Sequence, residues 1–250
     1  MPKEDFSVLR MHGSHVRPAH RHDSEMNMSD IETARECLSA ARRAMDAIDH
    51  YSCTIFCQER INGKPRKPEQ ILSRYQRPGS VYLRWLPGPF EGLQCSYVPE
   101  RDGKGKFQAR ETGLRGMVGT VTWSDDSPII DKMYPHYFRT HETSLVHMIE
   151  LASDIQTRAE AKGLIKVDTI DEVVDTHTHD KATRVVTTLS SSKNDGLLWS
   201  KTELFFDRES ALPIHFKLYD FDGALSGEYA FVGLDTKVPS SPKDFVIHKL

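Results

Sequence analysis

Twelve histidines are spread along this 250-residue chain, and some of their spacings resemble metal-binding patterns. His141-Glu142 with His147 invites comparison with the zinc-protease helix, where the second His follows one turn after the His-Glu pair. Here it comes six positions after His141, about 240° around a helix, so the two imidazoles cannot face one ion. His177-Thr178-His179-Asp180 is better suited, because residues two apart share a strand face. A metal-dependent hydrolase using His177 and His179 is therefore one function the chain allows. The same string falls where a turn belongs, and a solvated loop is the expected state. Asp125-Asp126 and Asp168 with Asp171-Glu172 offer paired carboxylates for acid–base work, yet acidic residues are equally expected in loops and on exposed strand faces. No Ser elbow, phosphate-binding Lys loop or CxxC pair occurs. Gly113, Gly116 and Gly119 lack the spacing and the strand-to-helix context of a dinucleotide loop. No catalytic residue, cofactor or metal is expected.

Cys37, Cys53, Cys57 and Cys95 complete the reactive inventory. Cys53 and Cys57, four apart in a strand, stand about 13 Å apart on one face, too far for a disulfide. Without a second ligand pair they match no zinc spacing, so small buried hydrophobes are expected. Arg74, Arg77, Arg84 and Arg115 could ring an anionic headgroup, but alternation places them mostly toward solvent. A formal net charge of −3 gives no general attraction to nucleic acid. No stretch approaches the ~18–20 apolar residues of a membrane span. The first 30 residues lack the apolar core of a secretory signal, which on its own implies the cytoplasm. Residues 1–28, with His12, His15, His20 and His22, read as a disordered polar tail able to hold a metal only adventitiously.

The elements that must position these residues are legible from periodicity. Ser29 and Glu32 form a capping box for a helix over Asp30–Ile48, with Ile31, Ala34, Leu38, Ala41, Met45 and Ile48 as its apolar stripe. Tyr51–Arg60 alternates, with Tyr51, Cys53, Ile55 and Cys57 on one face, and Asn62-Gly63 marks a hairpin. Strands follow at Gln70–Arg77, Ser80–Leu86, Leu93–Val98, Lys106–Glu111 and Thr120–Trp123. A long loop comes next, then a second helix over Ser144–Lys162 with Leu145, Met148, Ile149, Ala152 and Ile155 inward. The remaining strands are Leu164–Val174, Lys181–Leu189, Leu198–Asp207, Pro213–Asp220 and Glu228–Leu234, with turns at Asn194-Asp195-Gly196 and Asp222-Gly223. The last residues, 238–250, are expected to cover a sheet edge. Strands joined by short turns pair antiparallel. The class is thus α+β, mainly antiparallel β, a curved sheet with helices on one side and a single domain from residue 29 to 250.

Specific strings carry a resemblance. A helix followed by DHYSCTIFCQERINGK, then VYLRWL and GLQCSYV, and later LFFDRESALPIHFKLYDFDG, EYAFVGL and a closing Asp244-Phe245, resembles an uncharacterised bacterial domain family. That family is grouped with the lipoprotein-sorting proteins LolA and LolB, and the resemblance covers about residues 30–246. It implies an unclosed β-barrel of roughly ten or eleven strands, with helices covering an apolar cavity on the concave face. It further implies non-catalytic carriage of a lipid or lipoprotein acyl chain in the periplasm or cell envelope. No ligand-contact residue is transferred from those carriers.

Elementary physics makes such a cavity reasonable. A sheet that fails to close leaves its concave face without an opposing layer, and whatever the helices leave unfilled accepts an apolar ligand. Alternation nominates the lining: Ile55, Val81, Leu83, Trp85, Leu204, Phe206, Ile214, Phe216, Leu218, Tyr229 and Phe231. Each of these also suits ordinary core packing, so a protein-interaction module with a filled barrel is the competing reading. Nothing in the residues sets an oligomeric state.

Overall fold

The computed structural model describes residues 22–190 and 197–248. Helix α1 (His22–Asp46) leads into strand β1 (His50–Ile61), which forms a small hairpin with β2 (Lys64–Pro65). The chain then meanders through β3 (Glu69–Gln76), β4 (Ser80–Trp85), β5 (Gln94–Tyr97), the single-turn α2 (Pro99–Asp102) and β6 (Lys106–Arg110). A long excursion holds α3 (Gly113–Gly116), β7 (Val121–Ser124), α4 (Pro128–Met133) and a 3-10 turn over Thr140–Thr143. Helix α5 (Leu145–Ala161) precedes β8 (Ile165–Val174), β9 (Lys181–Leu189), β10 (Lys201–Asp207), β11 (Pro213–Tyr219) and β12 (Leu225–Asp235).

Among the described residues, all twelve strands belong to one antiparallel sheet in the order β7-β6-β5-β4-β3-β1-β12-β11-β10-β9-β8, with β2 attached to β1. The last strand returns to pair with the first along Ser52–Glu59, joining two meanders, while β7 and β8 remain at opposite edges and the sheet stays unclosed. The two-residue β2 is the strand that periodicity overlooks, because nothing so short can alternate.

Burial follows the alternation. Along β1 the buried positions are Tyr51, Cys53, Ile55, Cys57 and Glu59. Helices α1 and α5 pack on that inner face through Ala34, Leu38, Ala41 and Met45, and through Leu145, Met148, Ile149 and Ile155. Burying each of the larger side chains contributes about 1.5–3 kcal/mol. Ser144 accepts from the His147 backbone N–H as the cap of α5, and Tyr51 Oη accepts from Leu145 N at 2.9 Å, fixing the helix start to β1.

The start of the first helix and the place of the C-terminal segment differ from the sequence reading, and β10 and β12 start at Lys201 and Leu225 rather than at Leu198 and Glu228. Helix α1 begins at His22, inside the stretch read as a tail, and the Ser29–Glu32 capping box is not used as a start. No Pro or Gly interrupts residues 22–29, so the helix propagates upstream, and Ser29 O accepts from Thr33 Oγ1 as an interior residue. Residues 1–21 and the Asn194-Asp195-Gly196 turn lie outside the described residues. The C-terminal segment covers a face rather than an edge. Ser96 Oγ donates to Phe245 O at 2.6 Å and Gln94 Nε2 to His248 O at 3.0 Å, sealing the outer side of β5.

Three of the four arginines, Arg74, Arg77 and Arg84, do not converge on one site. Arg74 pairs with Asp244 at 2.6 Å, Arg77 caps the end of α1 by donating to Met45 O and Ile48 O, and Arg84 is exposed. The Arg115 side chain lies outside the described residues. The acidic groups also disperse: Asp168 meets Thr188 and Lys166, Asp171 pairs with Arg184, and Glu172 with Arg208. All four cysteines are free, and three of them are buried.

Candidate functional site: an apolar cavity between sheet and mid-chain cover

The inner face of the β1–β7 half of the sheet is not fully packed. A cavity of about 320 Å³ lies between it and the excursion after β6, at the lower end of the ~300–1,000 Å³ typical of ligand sites. Its floor is made by inward residues of successive strands: Ile55 and Cys57, Ile71, Leu83 and Trp85, Cys95, Phe107 and Ala109, then Tyr229 and Phe231 across β12. The space exists because several of these inward positions carry small side chains. Cys57, Cys95 and Ala109 leave room where Leu or Phe would meet the cover. Burial pushes the Cys95 thiol up to about 12 and raises that of Cys57 well above its usual value, so both line the wall as neutral, apolar groups.

The cover is the mid-chain excursion rather than the two long helices. Val118, Ile130, Met133, Tyr134 and Phe138 face the cavity, and α5 contributes Met148. At the rim Met117 and Val118 are 81% and 77% exposed, an apolar lip beside the opening. A smaller chamber of about 40 Å³ lies under α1 and α5, bounded by Leu204, Phe216, Leu218 and Trp199. Phe138 and Met148 border both chambers and stand between them.

One wall of the cavity is polar, and the sequence reading missed it. Glu59 on β1 lines it together with His136, and the buried Glu69 of β3 lies beside them without lining the cavity. Glu59 accepts from Tyr229 Oη at 2.6 Å and from Tyr137 N at 3.1 Å, and His136 Nδ1 lies 2.9 Å away. Glu69 accepts from Trp85 Nε1 at 2.7 Å and pairs with Arg66 at 3.2 Å, while His136 Nε2 stands 3.7 Å from it. Arg66 in turn donates to Pro135 O at 2.5 Å and lies over the Phe90 ring. This knot pins residues 135–137 of the cover to the sheet. Burial by itself would raise the Glu59 pKa, but the His136 contact and the Tyr229 and Tyr137 hydrogen bonds outweigh it and hold the carboxyl below its ordinary range. Cys57, Glu59 and His136 bring ligand atoms within 4.8 Å of one another. The Glu59 carboxylate is engaged by Tyr229, Tyr137 and His136, and these contacts tie the excursion to the sheet as a latch. A Glu at an inward strand position is the signal that could have revealed it, because such a charge must be paired.

The nominated lining residues divide among several places. Ile55, Leu83, Trp85, Tyr229 and Phe231 line the main cavity, and Leu204, Phe216 and Leu218 the smaller chamber. Val81 and Phe206 are core residues that line neither. Ile214 is on the other side of the sheet, packed with Ala182 and Phe205. The β10–β11 register slips between Phe205 and Phe206, which face His215 and Pro213, and that slip breaks the alternation from which Ile214 was placed.

His177 and His179 do not share a face. Strand β8 ends at Val174, Asp175–Asp180 is a turn, and His179 is exposed at φ +63°. His177 folds back onto the outer face of the sheet, its ring 4.2 Å from Phe56 and 4.9 Å from His215. His141 pairs with Asp125 at 3.3 Å, Glu142 accepts from Arg139 N, and His147 packs near Phe138, where burial lowers its pKa. No helix among the described residues is long and apolar enough to cross a membrane.

A comparison with curated proteins returned no match. Among solved structures, the chain is similar to an uncharacterized conserved protein from Thermus thermophilus (13% identity, TM-score 0.47, covering 87% of this chain and 94% of that one). It is similar to the Mycobacterium tuberculosis lipoprotein LppX at 10% identity and TM-score 0.46, over 84% and 98% of the two chains. A LolA superfamily protein from Nitrosomonas europaea aligns at 8% identity and TM-score 0.36, over 86% and 97%. At the level of sequence, the family model for a protein of unknown function, DUF1571, matches residues 48–249, from the end of the first helix through the C-terminal cover, and the chain belongs to that family.

Proposed function

We propose that this protein binds and carries the acyl portion of a lipid or of a lipidated protein in the cavity between the β1–β7 half-sheet and its mid-chain cover, acting in the cell envelope without catalysis. The observation that carries this reading is the enclosure itself: about 320 Å³ of space with a predominantly apolar lining, beneath an exposed apolar lip. Burying methylenes there contributes about 0.8 kcal/mol each, so a hydrocarbon chain gains affinity without a polar anchor. The Glu59 and Glu69 carboxylates are engaged by Tyr229, Tyr137, Trp85 and Arg66, and the strand floor of the cavity is apolar and suited to hydrocarbon. The resemblance of the strand strings to the lipoprotein-sorting group supports the same class of ligand.

Native mass spectrometry of the freshly purified chain, with organic extraction, tests the reading. The expected result is a copurifying hydrophobic species, or uptake of added fatty acid, reduced by Ala109→Leu, which occupies the cavity with the fold retained. A clean apo mass with no uptake of fatty acid or lipopeptide refutes it and leaves a protein-interaction module.

A further inference from the structure

The outer face of the sheet carries a second polar cluster, separate from the cavity. His215 on β11 is completely buried, and its Nδ1 lies 2.5 Å from Asp175 Oδ2. Its Nε2 lies 3.0 Å from Glu228 Oε1 on β12, and His177 Nε2 reaches the same oxygen from the β8–β9 turn at 3.4 Å. We propose that His177, His215 and Glu228 form a binding site for a divalent transition metal of the zinc class, with Asp175 as the positioning residue behind His215.

Geometry supports this assignment in three ways. In a tetrahedral site with bonds of about 2.0–2.1 Å, neighbouring ligand atoms stand about 3.3 Å apart. The 3.0 and 3.4 Å separations bracket that value, and all three ligand atoms fall within 4.8 Å of one another. Next, a ligating His ordinarily donates its other ring N–H to a carboxylate, fixing tautomer and ring orientation. Asp175 supplies that partner, and it is itself held by the backbone N–H groups of His177 and Thr178, each at 2.9 Å. Finally, apolar rings flank the imidazoles, with Phe205 stacked on His215 and Phe56 against His177. An imidazole between two carboxylates calls for positive charge at Nε2, which a proton supplies in the ion-free chain; a metal ion replaces that proton and engages His177 as well.

Accessibility fits entry of an ion from solvent. The His177 and Glu228 side chains are 25% and 12% exposed, so the cluster has one open side. Lys217 Nζ, 3.4 Å from Glu228 Oε1 and 5.8 Å from the Phe205 ring centroid, competes for that oxygen and must move away from it when an ion binds. Two His and one Glu leave a fourth coordination position for water or a small ligand. The bound ion would tie the β8–β9 turn to β11 and β12.

The test is equilibrium dialysis of the EDTA-treated full chain against micromolar Zn²⁺, with Co²⁺ as the spectroscopic probe. The parent should carry H12A, H15A, H20A and H22A, so that those histidines do not contribute. The expected result is one Zn²⁺ per chain and the visible absorption of a low-coordinate Co²⁺ site. H177A and E228Q should each weaken affinity at least tenfold with circular dichroism unchanged. D175N should cost about 10–100-fold while the Co²⁺ spectrum is retained. H177A leaves the buried His215 in place, which keeps the comparison sound should replacement of His215 prevent folding. Absence of stoichiometric Zn²⁺ in the parent overturns the proposal, as does equal uptake by the parent, H177A and E228Q.

Discussion

Ala109 offers the sharpest test of the cavity. It lies on β6 opposite Cys95 and Val121, buried, with its methyl at the cavity wall. Ala109→Leu inserts about three carbons into space otherwise available to a ligand. With ~0.8 kcal/mol per buried CH₂, affinity in the parent should rise about fourfold per methylene along a saturated fatty-acid series and then level off when the cavity is full. In the variant the plateau should arrive about three carbons earlier. Chains that fill the parent cavity should lose about 2.4 kcal/mol, roughly 50-fold in Kd. Trp85 and Trp123 both line the cavity, so quenching of tryptophan fluorescence by brominated acids, from octanoate to stearate, reads occupancy directly. Urea unfolding supplies the control. Adding carbons to a filled core costs about 1–3 kcal/mol, whereas filling a void should leave the apo variant as stable as the parent or more so. A chain-length profile that superimposes on the parent, or destabilisation of the overpacked kind, refutes the reasoning.

Other perturbations probe the cover, the latch and the lip. Phe138→Ala opens the partition between the two chambers; it should cost about 2–3 kcal/mol, less than a fully buried Phe, and shift the preferred ligand to longer chains in the same quenching series. Tyr229→Phe removes a donor from the buried Glu59 carboxylate and should cost about 1.5–3 kcal/mol in urea unfolding, with faster amide exchange at residues 135–137. Glu59 titrates lower in the folded chain than unfolded, so its contribution is complete above the ordinary carboxylate range and is lost as pH falls through the lowered folded value. Glu59→Gln deletes that component, and its stability between about pH 6 and about pH 3 should fall less steeply than the parent's; an identical acid limb would rule out the assigned hydrogen bonding. Replacing Met117 and Val118 by Asp should slow exchange of bound lipid with vesicles, measured by fluorescence transfer, while leaving the urea midpoint within about 0.5 kcal/mol of the parent.

The sequence by itself determined the elements and their inward faces. The stripe Ala34, Leu38, Ala41 and Met45 and the alternation Tyr51, Cys53, Ile55 and Cys57 are local patterns of period 3.6 and period 2, and both are buried as those periods require. That Cys57, Cys95 and Ala109 leave volume beneath the cover shows only once the cover is in place. Where the local pattern breaks, the sequence misleads: the register slip opposite Pro213 carries Ile214 to the other face, and a capping box with helix-compatible residues before it does not stop a helix. The return of β12 to β1, across more than a hundred and sixty residues, is visible only in three dimensions, and with it Tyr229 comes to Glu59. The same applies to Asp175, His177, His215 and Glu228, whose spacing along the chain matches no motif. Hydrophobic periodicity is written between near neighbours and survives in one dimension. The cavity, the latch and the outer-face cluster depend on which strands lie side by side, and pairing between distant segments is decided only when the whole sheet assembles.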